Sequence, residues 1–309
     1  MATPEPLRIG TRGSPLSLAQ AYEVRDRLAA AVPELSAKCA LQVIAIKTTG
    51  DSVTARALAD IGGKGLFSKE IDAAQLDGRI DIAVHSAKDL ETRLTGGIEL
   101  AAVTEREDPR DTIICRDAPG LDGLAPGAVV GTASLRRQAQ ILHRRPDLKV
   151  ALIRGNVQTR LGKLEAGECD ATLLALAGLN RLGLANVATE VLDPEVLLPA
   201  VAQGAIGVTC RIGDRRTAEC IAAINHADSL TRVTAERAML EALDGSCRTP
   251  IGGLATLEGE RLTLRGLVAR EDGSDLFETT RVGVAGDARR IGRDAGEELR
   301  RRASNDLFD

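Results

Sequence analysis

The chain has 309 residues, room for two or three domains at about 150 residues each. Lys and Arg number 40 against 44 Asp and Glu, a net charge of −4, and 44% of the residues are hydrophobic. That balance excludes a disordered chain, a strongly cationic nucleic-acid binder and a collagen-like polymer. The aromatic residues are Tyr22, Phe67, Phe277 and Phe308 alone, too few for a surface that stacks bases or sugars, so the cores must be built from Leu, Val, Ile and Ala.

In chain order, LRIG (7–10) reads as a short strand, with a helix from Pro15. LQVIAIK (41–47) and DIAVHS (81–86) are further β-rich runs. AVVG (128–131) leads into helical SLRRQAQIL, KVALI (149–153) leads into NVQTRLGKL, and ATLLAL (171–176) follows. Strands alternating with helices predict an α/β fold with mainly parallel sheets covered on both faces, and the length fits two such units. The polar EREDPRD stretch (105–111), broken by Pro109, marks a first boundary. The small residues of PAVAQGAIG (199–207) mark a second, where the chain returns to the first unit as it does when one domain is inserted in another. Beyond residue 225 the pattern changes. A helix runs from Asp228 or Ser229 to about Leu243 with Leu230, Val233, Leu240 and Leu243 on one face, followed by strand-like RLTLRGLVA and TTRVGVA and a charged helix near 287–303. The expected domains are 1–104 with 200–224, then 105–199, then a small α+β domain at 225–309. The tail RRRASNDLFD is expected to be solvated and frayed.

The first ten residues, MATPEPLRIG, lack the basic head and apolar run of a secretory signal, and no stretch approaches the ~18 apolar residues of a membrane span. Cys39, Cys115, Cys169, Cys210, Cys220 and Cys247 are widely scattered with no C-x-x-C pair, which reads as a reduced, cytoplasmic protein. His85, His143 and His226 lie far apart and no metal motif occurs, so no metal site is expected.

The placement of the arginines carries the chemistry. In GTASLRR, Ser134 is suited to cap a helix whose first turn then holds Arg136 and Arg137. Cations there oppose the helix dipole, so two readings stand: solvated surface arginines, or a bound anion between the helix start and both guanidinium groups. The layout recurs in LRIGTRGSPL, where Arg12 precedes the cap Ser14 and Pro15 opens the helix, and in ALIRGNVQTR, where Arg154 ends a strand and the cap Asn156 begins a helix carrying Arg160. Ligands of open α/β sheets bind beyond the carboxyl ends of the strands. Three such junctions predict a cleft for a ligand with several carboxylates or phosphates.

In DIAVHSAKDL a strand runs into His85, Ser86, Lys88 and Asp89. Asp89 is either half of a surface ion pair or, at the edge of an arginine-lined cleft, a group that stabilises a developing cation or moves a proton. His85 by itself reads as structural. TTGDSVTARALADIGGKGLF (48–67) reads as a mobile glycine-rich loop; it fails the phosphate-loop pattern, with Leu58 and Gly65 at the deciding positions. Cys247 lies in LDGSCRTPIGG, a loop bounded by Gly245 and Pro250 that exposes it, while the other five cysteines read as small buried apolar side chains.

The segments IGTRGSPLSLAQ, GGKGLFSKE, DIAVHSAKDL, EREDPRD, GTASLRRQAQ, RRPDL, IRGNVQTRL, AGLNRLGL, LPAVAQGAIG, RVTAERAML and GSCRTPIGG, in that order, resemble the porphobilinogen deaminase (hydroxymethylbilane synthase) family of tetrapyrrole biosynthesis. The likeness runs from about Leu7 to Gly253. It implies a transferase that joins four porphobilinogen molecules head to tail, releases four ammonia molecules and yields linear hydroxymethylbilane. It implies two domains like type II periplasmic binding proteins plus a third that carries the cofactor loop. The cofactor so implied is a dipyrromethane held by a thioether to Cys247. Asp89 falls on the essential aspartate. Lys88, Ser134, Arg136 and Arg137 fall on cofactor-binding positions. Arg12, Ser14, Gln20, Lys64, Arg154, Arg160 and Arg181 fall on positions that hold substrate acetate and propionate groups.

Each added pyrrole brings two carboxylates, which suits arginine's planar, permanently charged fork. Loss of ammonia leaves a cationic azafulvene that an aspartate stabilises, a cysteine anchor keeps the intermediate bound, and domain hinges with the 48–67 loop make room for repeated steps. Two positions depart from many relatives: Asp60 replaces a lysine before the loop glycines, which predicts weaker help from that loop, and Glu91 replaces a proline after the essential aspartate. The partner expected is the small-molecule substrate, with no nucleic acid or membrane, and the resemblance implies a monomer. The competing reading is a non-catalytic module that binds a polycarboxylate, which needs the arginines but neither Asp89 nor an exposed Cys247. A nucleotide-dependent enzyme is a third reading, against which stands the absence of phosphate-loop motifs.

Overall fold

A computed structural model describes residues 5–37, 39–48, 68–243 and 249–303. The chain divides into two units, Met1–Arg106 with Ala205–Leu230, and Glu107–Gly204 with Thr231–Asp309.

In the first unit, β1 (Leu7–Arg12) is followed by α1 (Pro15–Ala31), β2 (Leu41–Ile46), α2 (Lys69–Leu76), β3 (Ile82–Ser86) and β4 (Ile98–Val103). Ser14 caps α1, its hydroxyl accepting from the Ser17 amide at 3.2 Å, and Pro15 opens the helix without giving up a needed donor. Ala21, Val24 and Leu28 recur at helical spacing and are fully buried against Ile9, Ile82, Val84, Ile206 and Val208. Each fully buried aliphatic side chain of this kind contributes about 1.5–3 kcal/mol, which is what holds α1 on the sheet. Ile71 and Ala74 of α2 pack with Ile80 and Ala83 on a second core cluster.

The second unit opens with β5 (Asp111–Cys115), β6 (Val129–Gly131), α3 (Leu135–Arg144), β7 (Lys149–Ala151), α4 (Val157–Glu165), β8 (Ala171–Ala175), α5 (Leu176–Arg181) and β9 (Glu190–Val191). The chain then returns to the first unit for β10 (Ile206–Arg211) and α6 (Arg215–Ala222). α7 (Ala227–Ala242) leads into a three-stranded antiparallel sheet, β11 (Ile251–Glu258), β12 (Arg261–Ala269) and β13 (Leu276–Val284), and α8 (Ala288–Arg302). Gly292 and Gly296 let α8 approach α7 closely: a Cβ at Gly292 would lie 2.1 Å from the Ala235 carbonyl oxygen. Leu254, Leu267 and Ala269 of the small sheet share a core cluster with Ala139 and Leu198.

The two large sheets are built alike. The first has strand order β2-β1-β3-β10-β4 and the second β7-β6-β8-β5-β9. In each, two strand pairs are parallel, while one strand, β10 in the first sheet and β5 in the second, runs antiparallel to both neighbours. The sheets are therefore mixed, with helices on their faces. The parallel strands, with their helical crossovers, are the part that alternating strands and helices announce; β10 and β5 need no crossover helix beside them.

Several local expectations are corrected. Asp111, read as the end of a polar linker, opens β5 and is fully buried. A strand starts at Ile251, directly after Pro250. Arg300–Arg302 form the last turn of α8, with the Arg302 guanidinium donating to the Glu278 carbonyl at 2.6 Å; residues 304–309 of the tail lie outside the described residues. Cys39 is exposed, at φ +73°, while Cys169 and Cys210 are buried and Cys115 and Cys220 half-buried. Burial pushes the Cys115 and Cys210 thiols up to about 11, so neither is a nucleophile near neutral pH. No helix among the described residues is long and apolar enough to cross a membrane.

Candidate active site

In the first unit the candidate groups collect at one edge of the sheet. Arg12 is the last residue of β1 and Ser86 the last of β3, and Ser86 pairs with Ile206 at the start of β10. Thr11 pins this corner, its hydroxyl lying 3.2 Å from the Ser17 carbonyl and 3.3 Å from that of Val84. Gln20, buried on α1, meets the Ser86 hydroxyl with its amide nitrogen at 2.9 Å and its amide oxygen at 3.1 Å. Gln20 is thus fastened to the strand end.

Beyond Ser86 the chain makes a single tight turn, Ala87–Asp89. Ala87 is buried and its amide donates to the Ala205 carbonyl at 2.9 Å, which holds the turn against the sheet. Lys88 is half-buried and Asp89 exposed. An exposed carboxylate thus stands at the strand edge that also carries Arg12, Ser14 and Lys88. His85, one residue before the strand ends, is neutral at physiological pH. Burial and, secondarily, the charge of Arg12 push its pKa down to about 4, and its Nε2 is buried without a hydrogen-bond partner among the described residues.

In the second unit the equivalent edge holds Asp111, Ser134, Arg136, Arg137, Arg154 and Arg181. Asp111 pairs with Ala175 at the end of β8, which brings it to the carboxyl ends of the parallel strands. Ser134 caps α3, its hydroxyl accepting from the Arg137 amide at 3.4 Å. Arg136 and Arg137 are both buried, and both are paired with Asp111 at 2.8 and 2.7 Å. The anion that two cations at a helix start demand is therefore already inside the protein. Burial pushes the Asp111 carboxyl up, but the charges of Arg136 and Arg137 and the bonds from Arg136 and Gln203 outweigh it and hold it well below the usual carboxylate range. Gln203 donates to Asp111 Oδ1 at 3.0 Å and to the Pro109 carbonyl at 2.7 Å. Removing one member of such a buried set costs about 3–5 kcal/mol, several times the worth of an exposed pair.

The other arginines are placed by local backbone. Arg154 follows β7, half-buried, with its Nε buried and without a hydrogen-bond partner among the described residues. Gly155, at φ +121°, makes the turn that follows; Asn156 caps α4 by accepting from the Thr159 amide at 2.9 Å; and Arg160 Nε reaches back to the Gly155 carbonyl at 3.0 Å. Arg181 ends α5 and donates to the Gly204 carbonyl at 3.0 Å. Arg136 and Arg137 are brought together around one carboxylate, whereas Arg154, Arg160 and Arg181 are each anchored separately. Lys64, Cys247 and Asp60 lie outside the described residues. Asp111, Gln203 and Ser86 were not singled out from sequence as site residues. The local trace of Asp111 is slight: a carboxylate directly before the β-branched TII run, with its two arginines far along the chain.

The donor set fits a carboxylate-rich group. Buried Nε–H groups of Arg136 and Arg154 stand without acceptors among the described residues, on permanent cations, at a strand edge. Two family profiles cover most of the chain: "Porphobilinogen deaminase, dipyromethane cofactor binding domain" matches residues 7–219, and "Porphobilinogen deaminase, C-terminal domain" matches residues 230–301. The chain is 55% identical to porphobilinogen deaminase of Paracoccus denitrificans over 98% of its own length and 96% of that protein's. It is 53% identical to the chloroplastic porphobilinogen deaminase of Oryza sativa subsp. japonica, over 98% of this chain and 86% of that one. Among solved structures, the methionine-binding protein MetQ aligns over 76% of this chain and 95% of its own, at 10% identity and a TM-score of 0.45. The two profiles and the match along nearly the whole sequence agree: the chain belongs to the porphobilinogen deaminase family.

Proposed function

We propose that this chain is a transferase that joins four porphobilinogen molecules head to tail, with release of ammonia, to give hydroxymethylbilane. The observation that carries the reading is Asp89, an exposed carboxylate on a turn held at the same strand edge as Arg12, Ser14 and Lys88. A module that only binds polyanions gains nothing from a carboxylate there; an enzyme that generates a cation does.

The dipyrromethane, when bound, supplies the covalently anchored pyrrole carbon from which the product grows, and Cys247 is the proposed point of attachment. Lys88, Ser134, Arg136 and Arg137 are proposed to hold its carboxylates. Arg12, Ser14, Gln20, Arg154, Arg160 and Arg181, with Lys64, are proposed to hold those of the substrate, the planar guanidinium forks gripping each carboxylate in two places. Asp89 holds the pyrrole N–H groups, stabilises the positive charge left on the substrate when ammonia departs, and takes up the α-proton that the attacking pyrrole ring loses as it regains aromaticity. Neutral His85 leaves the positive charge at this edge to Arg12 and Lys88. The proposed division of labour follows 1–104 with 200–224, 105–199 and 225–309, the last carrying the Cys247 loop. A cytoplasmic location is proposed on the dispersed cysteines, of which Cys39, Cys115, Cys169, Cys210 and Cys220 are free thiols, and a monomer on the likeness to the family.

The test is the intact mass of the purified chain beside Cys247→Ala, followed by incubation with porphobilinogen. A mass excess of two linked pyrroles, lost in the variant, with consumption of porphobilinogen and release of ammonia, supports the reading. Binding of porphobilinogen without turnover by chain of any loading would show a binding module instead.

A further inference from the structure

His85 is a titratable group at the candidate edge that the chemistry above leaves without a bond to make. Side chains alternate between the two faces of a strand. Val84 packs with α1 in one core cluster and Ser86 meets Gln20 of α1, so both lie on the α1 face. Ala83 packs with Ile71, Ala74 and Ile80 on the α2 face, and His85 shares that face with it. Arg12 does as well: a Cβ at Gly10 would meet Ile80, while Thr11 between them reaches the Ser17 carbonyl of α1. Arg12 and His85 thus stand on one face at the ends of β1 and β3, and the charge of Arg12 is felt at the imidazole. On its other side His85 pairs with Gly207 of β10, which brings no side chain to the ring. The ring is half-buried, and its Nε2 is buried with no hydrogen-bond partner among the described residues. A buried ring nitrogen left without a partner costs stability, so a ligand that supplies one is favoured there. The cations Arg12 and Lys88 serve carboxylates. Porphobilinogen also carries a primary ammonium on a methylene, and a cation among cations needs an acceptor. A protonated imidazole would repel it; His85 is neutral at physiological pH and offers one nitrogen lone pair.

We propose that His85 is a specificity-determining residue that holds the aminomethyl group of porphobilinogen, its Nε2 accepting a hydrogen bond from the substrate ammonium before ammonia leaves. The proposal rests on the reading above that porphobilinogen is the substrate. The ring's own proton then sits on Nδ1. The bond orients the leaving group and transfers no proton. As the C–N bond breaks, its electron pair stays on nitrogen, ammonia departs neutral, and the positive charge passes to the pyrrole that Asp89 faces. The ammonium loses its charge on the way to the transition state, so the hydrogen bond is strongest in the bound substrate. His85 therefore contributes to binding and selection of the aminomethyl group rather than to the rate of its loss.

The test uses the full chain with His85→Leu and His85→Gln, and kinetics are expressed per molecule carrying the dipyrromethane by intact mass. The second probe is an analogue of porphobilinogen with methyl in place of the aminomethyl group. His85→Leu removes a buried nitrogen that has no partner, so its heat-unfolding midpoint at neutral pH is expected to equal or exceed the parent's. Its KM for porphobilinogen is expected to rise at least about tenfold with kcat within about threefold of the parent. The inhibition constant of the methyl analogue is expected to stay at the parental value. His85→Gln, whose amide oxygen can accept, is expected to recover most of the KM. A lowered midpoint with parental KM shows a structural histidine and overturns the proposal. An inhibition constant that rises along with KM overturns it too, since His85 would then serve the carboxylates or the ring. If His85→Leu does not fold, His85→Phe is read in its place; if neither folds, the histidine is structural and the proposal falls. If the parent consumes no porphobilinogen, the functional reading fails, and binding alone decides the inference. Porphobilinogen must then raise the parent's midpoint more than the methyl analogue does, and the two must act alike on His85→Leu; any other pattern refutes it.

Discussion

Arg8 and Asp81 are joined in three places: the Arg8 amide and Nε lie 2.8 and 3.0 Å from Asp81 Oδ2, and Nη2 lies 2.8 Å from Oδ1. The pair fastens the start of β1 to the residue before β3, at the opposite end of those strands from Arg12 and Ser86. Burial pushes the Asp81 carboxyl up, but the bonds and charge of Arg8, with a bond from Arg211, leave its pKa lowered. Asp81→Asn is therefore expected to lose about 1–3 kcal/mol of stability in urea unfolding, while activity per folded molecule stays at the parental level. The sign with pH follows. A carboxyl with a depressed folded pKa contributes fully above its unfolded value of about 3.9 and loses that contribution as pH falls through the folded value.

His85 predicts a second, higher window. Its folded pKa is about 4 against an unfolded 6.5. Above pH 6.5 neither state holds the proton. Between 6.5 and 4 only the unfolded chain takes it up, so stability is lost as pH falls across that range, by up to about 3 kcal/mol. Unfolding free energies measured at intervals from pH 7 to 4 should show this slope, and His85→Gln should flatten it. An identical slope in both proteins would assign it to other groups.

Asp89 should separate chemistry from folding. Its side chain is exposed, so Asp89→Asn is expected to change unfolding free energy by no more than about 0.5 kcal/mol. If it handles the cation and the proton, kcat should fall at least about a hundredfold. Steady-state kinetics on chain of matched cofactor loading would decide, and a kcat within a few-fold of the parent would remove Asp89 from the chemistry.

Gly204 should couple backbone to binding. It sits at φ +88°, and a Cβ there would lie 2.3 Å from the Glu107 carbonyl oxygen. Its own carbonyl accepts from Arg181 Nη2 and from the Glu107 amide. Gly204→Ala is expected to lose at least about 2 kcal/mol and to raise KM, because the backbone must shift where Arg181 is anchored. A loss of stability with unchanged KM would show that the anchor is irrelevant to binding.

What the sequence disclosed was mostly local. Ser14, Ser134 and Asn156 cap helices as their positions predict, because an N-cap depends on residues within one turn. The strands at 7–12, 41–46, 82–86, 129–131, 149–151 and 171–175 carry their own apolar patterns. The strands missed, β4, β5, β9, β10 and β11, are those whose reading depends on partners far away, since a run such as IELAAV is equally a piece of helix until β10 lies beside it. The same distance hid Asp111. Its arginines lie in α3, well beyond any window in which a pattern is visible, and its polar neighbours disguised it as linker. Arg136 and Arg137 were recognised as calling for an anion; that the anion is a side chain of the same chain was not legible.

The strand order β2-β1-β3-β10-β4 has a consequence for synthesis on the ribosome. β10 lies between β3 and β4, so those two strands cannot be joined in one sheet until residue 211 has emerged, after all of Glu107–Gly204 has been made. The nascent β3 carries its unpaired backbone through that interval, along with the Lys88–Asp89 turn that depends on Ala205 for its anchor. The second unit's sheet has no such debt, since β5 to β9 are contiguous. A chain stalled before residue 205 would hold an unfinished edge at Lys88 and Asp89, open to a protease.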